Sequence, residues 1–257
     1  LAKIHLLMKK EEIEASKLKG NKVAVVFDVL LATSTIVAAL HFGAKEVIPV
    51  LDELHARKEA EGKSKGDYAL VGEYQGNTID GFLDPNPLLL KNYLKDKSMI
   101  LSTTNGTVAI QKCSDANKVY ICSIINGKAI AERIYKQHQD ETILIVCSGS
   151  SGEFCLEDLV GAGYFLDNLL AYSHEPWDLS DAALAALLVY KNVRNQLSET
   201  LLSSRVGKMM QNYEYDDVLQ FVSNPGIVQI VASLTKEGTI VAEEKALYDA
   251  QYEKKEV

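Results

Sequence analysis

Along the first two-thirds of the chain, short apolar runs alternate with segments whose apolar residues recur at helical spacing. Residues 23–27 read as a buried strand, and 34–42 as a helix closed by Gly43. Residues 46–50 repeat the strand pattern, and 52–61 form a polar helical stretch. A further strand at 68–71 leads into a Gly/Pro-punctuated loop, 72–87. Residues 98–101 and 119–123 read as strands, each followed by a Thr/Asn/Gly loop and a helical pattern. Residues 142–147 form one more, followed by "SGSSG" and a helix running to about residue 172. This βαβ rhythm predicts an α/β fold with a largely parallel sheet and helices on both faces.

Beyond Ser180 the pattern changes. Residues 181–195 read as a helix, apolar at Leu184, Leu187 and Leu188, and the apolar run 182–190 within it fits a buried helix. Residues 201–211 and 216–222 look helical, while 227–231 and 239–241 look strand-like or extended. There are no repeats and no obvious linker. The expectation is one domain over 1–257, its last third (from about 180) packed on the sheet or adding a small subdomain.

Composition narrows the function. The 257 residues are 47% apolar, enough for a sizeable core, and the net charge of -8 disfavours nucleic acid or an anionic membrane as partner. Only Arg57, Arg133, Arg194 and Arg205 are arginines, the usual bidentate clamps for anions. Cys113, Cys122, Cys147 and Cys155 match no zinc spacing and read as buried reduced thiols. With an N-terminal stretch too charged for a secretory leader, they suggest the cytoplasm. No apolar run nears the ~20 residues of a membrane span. His5, His41, His55, His138 and His174 form no metal-spaced pair and read as structural or surface groups.

In open parallel sheets, ligands bind beyond the carboxyl ends of the strands. Four such ends carry polar turns: "DVLLATST", "STTNGT", "SIINGK" and "CSGSSGE". Each precedes a helix whose first N–H groups lack intrahelical partners, and Gly106, Gly127, Gly149 and Gly152 allow close approach by an anion. Singly, such turns are explained by helix capping. Several meeting at one edge make an anion site, with Thr33, Ser34, Thr103, Thr104, Asn105, Gly106, Thr107, Gly149, Ser150, Ser151 and Gly152 as candidate ligands. Asp28 and Glu73 follow strand ends, and Glu157–Asp158 opens the helix after "SGSSG". The latter pair complements a helix dipole. Asp28, after a buried strand, orders a loop, binds a metal or does chemistry. Oxygen ligands with few histidines favour a hard ion such as Mg²⁺.

Several mechanisms are excluded. There is neither a GxxxxGK[ST] loop nor a GxGxxG. A cysteine phosphatase needs an arginine where Glu153 stands. An Asp-x-Asp phosphatase needs a second acid where Leu30 stands. "GSSGEF" is not the GxSxG elbow.

Five segments, in order and over most of the chain, resemble one family. They are "VVFDVLLATSTIVAALHFGAKEVIPV", "GEYQGNTIDGF", "STTNGTVAI", "CSGSSGEFCLED" and "SSRVGKMMQNYEYDDV". Together they are similar to the motifs of the Mg²⁺-dependent 2-phosphosulfolactate phosphatases of coenzyme M and sulfolactate biosynthesis. The resemblance implies a three-layer α/β/α sandwich that hydrolyses a small phosphomonoester. It implies catalytic roles for Asp28, Glu73, Glu157 and Asp158, with Mg²⁺ on Asp28, Glu157 and Asp158. The phosphoryl group would lie against backbone N–H groups of 104–107 and 150–152. Asn86 matches the family, although Asp84 is displaced by one place and Pro85 stands for glycine. Leu31, Tyr74 and Val108 occupy positions where the family usually has arginine, and Lys128 would replace part of that charge. Hydrogen bonds to charged groups are worth roughly 1.5–3 kcal/mol each. The implied substrate is therefore a small anion less charged or more apolar than phosphosulfolactate. The alternative is an inactive or repurposed homologue that binds a small anionic ligand. A homodimer stays open.

Overall fold

The computed structural model describes residues 3–172 and 176–243. His174 and residues 244–257 lie outside the described residues.

The chain begins with β1 (Lys3–Leu7), a 3-10 turn at Lys10–Glu12 and a one-turn helix α1 (Ala15–Leu18). β2 (Lys22–Phe27) leads into α2 (Ala32–His41), and β3 (Glu46–Val50) into α3 (Glu53–Ala60). β4 (Tyr68–Tyr74) turns back as β5 (Asn77–Thr78), and a loop with the short helix α4 (Pro87–Leu90) leads on. β6 (Ser98–Ser102), α5 (Gly106–Lys112), β7 (Lys118–Cys122), α6 (Gly127–Gln137), β8 (Thr142–Cys147) and α7 (Leu156–Tyr172) continue the alternation. β9 (Asp178–Leu179), α8 (Asp181–Val193), α9 (Leu197–Ser203), α10 (Arg205–Asn212) and α11 (Asp216–Val222) follow. The hairpin β10 (Ala232–Leu234) and β11 (Ile240–Ala242) comes last.

Among the described residues the sheet has eleven strands, in the order β5-β4-β6-β3-β11-β10-β7-β2-β8-β1-β9. It is parallel within β4-β6-β3 and within β7-β2-β8-β1-β9. The antiparallel hairpin β10–β11 joins these two blocks. From Val23 to Phe27, β2 is apolar without interruption because both its faces are covered. Val23, Val25 and Phe27 join Ile143 and Ile145 of β8 beneath α6, α7 and α8. Ala24 and Val26 join Ile121 of β7 on the opposite face, with Ile36 and Val37 of α2 and Ile110 of α5. A smaller core covers Ile48, Val50 and Ile100 with Ala56 of α3 and Phe82. The result is an α/β/α sandwich.

The structure departs from the sequence reading in the expected loop 72–87, where β4 runs on to Tyr74 and pairs with β5, and in four further places. Residues 3–7 form a strand that was not expected, although Ile4 and Leu6 are buried and alternate with exposed Lys3 and His5. The run is too short, and too hemmed in by lysines, to stand out. The helix expected over 201–211 is two helices broken at Ser204, whose hydroxyl accepts from the Gly207 N–H and caps α10. Residues 227–231 run alongside the loop after β7, and strand pairing starts only at Ala232. The α8 segment is not buried all round. Ala183, Ala186, Leu187 and Tyr190 are buried, while Leu184 and Leu188 lie on the solvent side. Gly163 of α7 lies directly against Ala186 of α8, whose carbonyl oxygen a Cβ at 163 would meet at 2.2 Å.

The four cysteines are buried and free. His138 stands between the Tyr120 hydroxyl and Glu141, and exposed His55 pairs with Asp52. No helix among the described residues is long and apolar enough to cross a membrane.

Ile4 is fully buried between β8 and α8, so Ile4→Ala should lower unfolding free energy by about 2–5 kcal/mol. Urea denaturation measures this, and an unchanged midpoint would contradict the placement of β1 in the core.

Candidate active site

The turn after β2 is built by its own hydroxyls. The Thr33 hydroxyl accepts from the Asp28 N–H at 3.1 Å and donates to the Asp28 carbonyl at 2.9 Å. Ser34 Oγ donates to the Val29 carbonyl at 2.8 Å and shares a hydrogen bond with Ser123. Thr33 and Ser34 are thus buried supports of the loop and do not reach the cleft beside it. What they present there is Asp28, whose Oδ1 accepts from the Ala32 N–H at 3.4 Å.

A cleft of about 750 Å³ opens at this edge. The turns after β2, β6 and β8 all line it, as the sequence led one to expect, through Asp28, Thr103–Asn105 and Gly149–Gly152. Glu73, at the end of β4, joins them, with Glu157 and Asp158 from the first turn of α7.

Three carboxylates hold these turns in place. Asp158 accepts from the Val29 N–H at 2.8 Å through Oδ1 and from the Gly149 N–H at 3.1 Å through Oδ2. One side chain thereby ties the turn after β2 to the turn after β8. Glu73 accepts from the Thr104 N–H at 2.7 Å and the Gly76 N–H at 2.8 Å, which ties the β4–β5 turn to the turn after β6. Asp84 accepts from the Tyr215 hydroxyl at 2.7 Å and the Asn86 N–H at 3.0 Å.

The acids are close enough to feel one another. Burial, and then the charge of Glu73, push the Asp28 carboxyl up to about 7. Burial raises Glu157, with Ser204, Cys155 and Arg205 acting the other way. Asp158 is raised well above the carboxylate range by burial and by the charges of Asp28 and Glu157.

Beside the cleft, Gly106 and Gly149 are required by space. A Cβ at Gly106 would stand 2.4 Å from the Ala32 Cβ and 2.7 Å from Asp28 Oδ2. Gly149 has φ +66°, and a Cβ there would meet the Glu153 carbonyl at 2.5 Å.

The remaining candidates lie elsewhere. Gly106 packs behind Asp28, and Thr107 exchanges hydrogen bonds with Thr103. Asn86 caps α4 by accepting from the Leu88 and Leu89 N–H groups. The fourth turn, "SIINGK", is covered. Gly226 and Val228 donate to the Ile124 and Ile125 carbonyls, and the Asn126 amide donates to the carbonyls of Ile121 and Ile230. Lys128 beyond it is exposed and takes no part in the cleft.

Sequence reasoning missed the cations. Lys10, buried and following β1, lines the cleft and donates to Asn105 Oδ1 at 2.7 Å while pairing with Glu11 at 3.1 Å. Its neighbour Lys9 donates to the Gly152 carbonyl at 2.7 Å. Arg205, at the start of α10, lines the cleft and donates to the Ser150 carbonyl at 2.8 Å. The scarcity of arginine drew attention to Arg205 but not to its place. The alternation in "KIHLL" was the available signal for Lys10.

A model of the family described as 2-phosphosulpholactate phosphatase matches residues 7–237. The chain belongs to the 2-phosphosulfolactate phosphatase family. It is 35% identical over 249 residues to a "Probable 2-phosphosulfolactate phosphatase" of Clostridium perfringens, covering 95% of this chain and 98% of the relative. Proteins of the same name from Clostridium beijerinckii (32% identity, 94% and 100% covered) and Clostridium acetobutylicum (39%, 74% and 79%) are also similar. Of the three positions without the expected arginine, only Leu31 lines the cleft. Tyr74 is exposed and Val108 half-buried, both away from the wall.

Among the described residues no three His, Cys, Asp or Glu side chains are arranged to enclose a metal ion. Magnesium, however, is commonly held by one or two carboxylates together with water and substrate phosphate. Asp28 and Glu157, oxygen donors in a cluster of mutually repelling acids, fit that mode. An all-protein cage does not fit.

Gly106→Ala should destabilise the fold by about 1–3 kcal/mol, because the contact with Ala32 and Asp28 outweighs the gain of up to ~1 kcal/mol in helix propensity. Chemical denaturation measures the sign, and a stabilised variant would show that the turn can give way.

Proposed function

We propose that the cleft hydrolyses a small phosphomonoester of the 2-hydroxy-acid phosphate type, with magnesium as cofactor. The observation that carries this reading is the meeting of buried carboxylates, two cations and a small-residue turn in one cleft. Membership of a family whose relatives bear the phosphatase name supports it. Water adds to phosphorus, the ester P–O bond breaks, and inorganic phosphate and the alcohol leave.

Asp28 and Glu157 are the residues that would hold Mg²⁺. The bound ion supplies positive charge to phosphoryl oxygens and acidifies water. Asp158 has each oxygen on a backbone N–H, so its part is to position the turns that carry Asp28 and the β8 loop. Glu73 does the same for the β6 turn. Thr104 donates its N–H to Glu73, and Ser150 donates its own to the Glu153 carbonyl, which removes both as phosphoryl donors. The Ser151 and Gly152 N–H groups take no partner among the described residues, so they can meet charge developing on the phosphoryl oxygens. Lys10 and Arg205 supply positive charge on the cleft wall. The free, buried cysteines support a reducing, cytoplasmic setting.

The second reading is a non-catalytic homologue that binds a small anion. It is favoured by Leu31, which puts an apolar side chain on the wall where the family resemblance led us to expect a charge.

Purified protein with Mg²⁺ should release phosphate from members of a phosphomonoester panel, and Asp28→Asn should lower the rate about a hundredfold or more. Absence of phosphate release across the panel from folded protein would sink the phosphatase reading and leave the binder.

A further inference from the structure

The turn after β8 begins with a buried hydroxyl that bonds to nothing. Among the described residues, Ser148 Oγ is the one buried side-chain nitrogen or oxygen without a hydrogen-bond partner. Ser148 is 0% exposed, so bulk water does not meet it either. Its backbone is fully engaged. The N–H donates to the Phe27 carbonyl at 2.8 Å, and the carbonyl accepts from the Lys10 N–H at 3.2 Å. The buried hydroxyls of neighbouring turns all find partners: Thr33 and Ser34 donate to loop carbonyls, and Thr107 to the Thr103 carbonyl. An unpaired buried polar group costs stability, and one kept in a folded protein calls for a reason.

Strand register places this hydroxyl beside Asp28. β2 and β8 are parallel with Phe27 opposite Cys147, and the bond from the Ser148 N–H to the Phe27 carbonyl carries the ladder one step further. Side chains alternate between faces along a strand. Phe27 and Cys147 join the core beneath α6, α7 and α8, whereas Val26 and Val146 join the one on the α2 and α5 face. Asp28 and Ser148, next in each strand, fall together on the α2 and α5 face. A Cβ on Gly106 of α5 would indeed meet Asp28 Oδ2 at 2.7 Å. Adjacent strands lie ~4.8 Å apart, so two short side chains at matched positions come within reach of one another by a turn about χ1.

Asp28 is also the cleft acid with the weakest hold. Asp158 accepts backbone N–H groups at 2.8 and 3.1 Å, and Glu73 at 2.7 and 2.8 Å. The one hydrogen bond to the Asp28 carboxyl among the described residues, from the Ala32 N–H, is 3.4 Å long. The donor this carboxyl lacks stands unused on the next strand.

We propose that Ser148 is a positioning residue for Asp28: its hydroxyl donates to the Asp28 carboxylate during turnover and fixes it for the reaction. This rests on the phosphatase reading above and adds a residue to that same site. Ser148 does not line the cleft, so it touches no substrate and acts through Asp28. Its hydroxyl weakens the fold and serves the chemistry, the opposite of a residue kept to support the turn.

Ser148→Ala tests this, because it removes the hydroxyl and little else. In urea denaturation without Mg²⁺, the midpoint of the variant should lie above that of the wild type. With Mg²⁺ and a phosphomonoester that the wild type cleaves, kcat should fall about ten- to a hundredfold, with KM unchanged within about threefold. A lowered midpoint would show that the hydroxyl supports the turn, and an unchanged kcat would show that Asp28 does not need it. Either result overturns the proposal and leaves the phosphatase reading in place. If the wild type cleaves no ester, the phosphatase reading falls, and calorimetric titration with Mg²⁺ in inorganic phosphate decides the role of Ser148. Mg²⁺ binding about tenfold weaker in Ser148→Ala than in the wild type would uphold its hold on Asp28. Equal binding, or none by either protein, would overturn it.

Discussion

Asp158 lies at the junction on which the site depends. Its two oxygens accept N–H groups from turns that follow different strands, Val29 after β2 and Gly149 after β8. A buried carboxylate is costly unless hydrogen-bonded, and this one is further opposed by Asp28 and Glu157. What holds it there is α7, which inserts Phe165, Leu166 and Leu169 into the main core. Each such side chain is worth about 1.5–3 kcal/mol on burial. The helix is anchored by its apolar body, and its first turn delivers the acids. Their position at a helix start adds a favourable interaction of about 0.3–1 kcal/mol with the dipole.

The same division of labour recurs around the cleft. Glu73 joins the β4–β5 turn to the β6 turn, and Asp84 joins the α11 start to the loop before α4. Acids that the resemblance grouped as catalytic thus separate into two kinds. Asp158 and Glu73 spend their oxygens on backbone N–H groups. Asp28 gives one oxygen to the Ala32 N–H and Glu157 is met by Ser204 and Cys155, yet both line the cleft without tying one turn to another. Gly106 and Gly149 complete the frame by leaving out the Cβ atoms that would displace Asp28 and the Glu153 carbonyl.

The chain's two ends supply what the central βαβ units lack. β1, beside β8, sets Lys9 and Lys10 over the β8 turn and the α5 start. The C-terminal segment closes one candidate loop, at Ile124 and Ile125, and α10 walls another side of the cleft. Charge enters from the first and from Arg205, and apolar surface from α10. The cleft is therefore lined by acids from the sheet edge and by apolar side chains of α10, a combination that no single motif carries.

The local features were legible in the sequence because they follow from local physics. Apolar runs marked β2, β3, β6, β7 and β8 since these strands are covered on both faces. Turn residues marked the loops beyond them, and an acid directly after an apolar run marked Asp28. Motif order marked the family. What tertiary structure decided was which polar groups meet. Thr33, Ser34, Thr107 and Asn86 have the right chemistry for a ligand, yet each finds a nearer partner in the protein. Lys128 has the right charge but sits at the one sheet-edge turn that the C-terminal segment covers. Lys10 and Arg205 come from segments far apart in sequence, and only packing brings them to the same cleft. Spacing along a chain reports a periodic face. It cannot report a distance across a sheet.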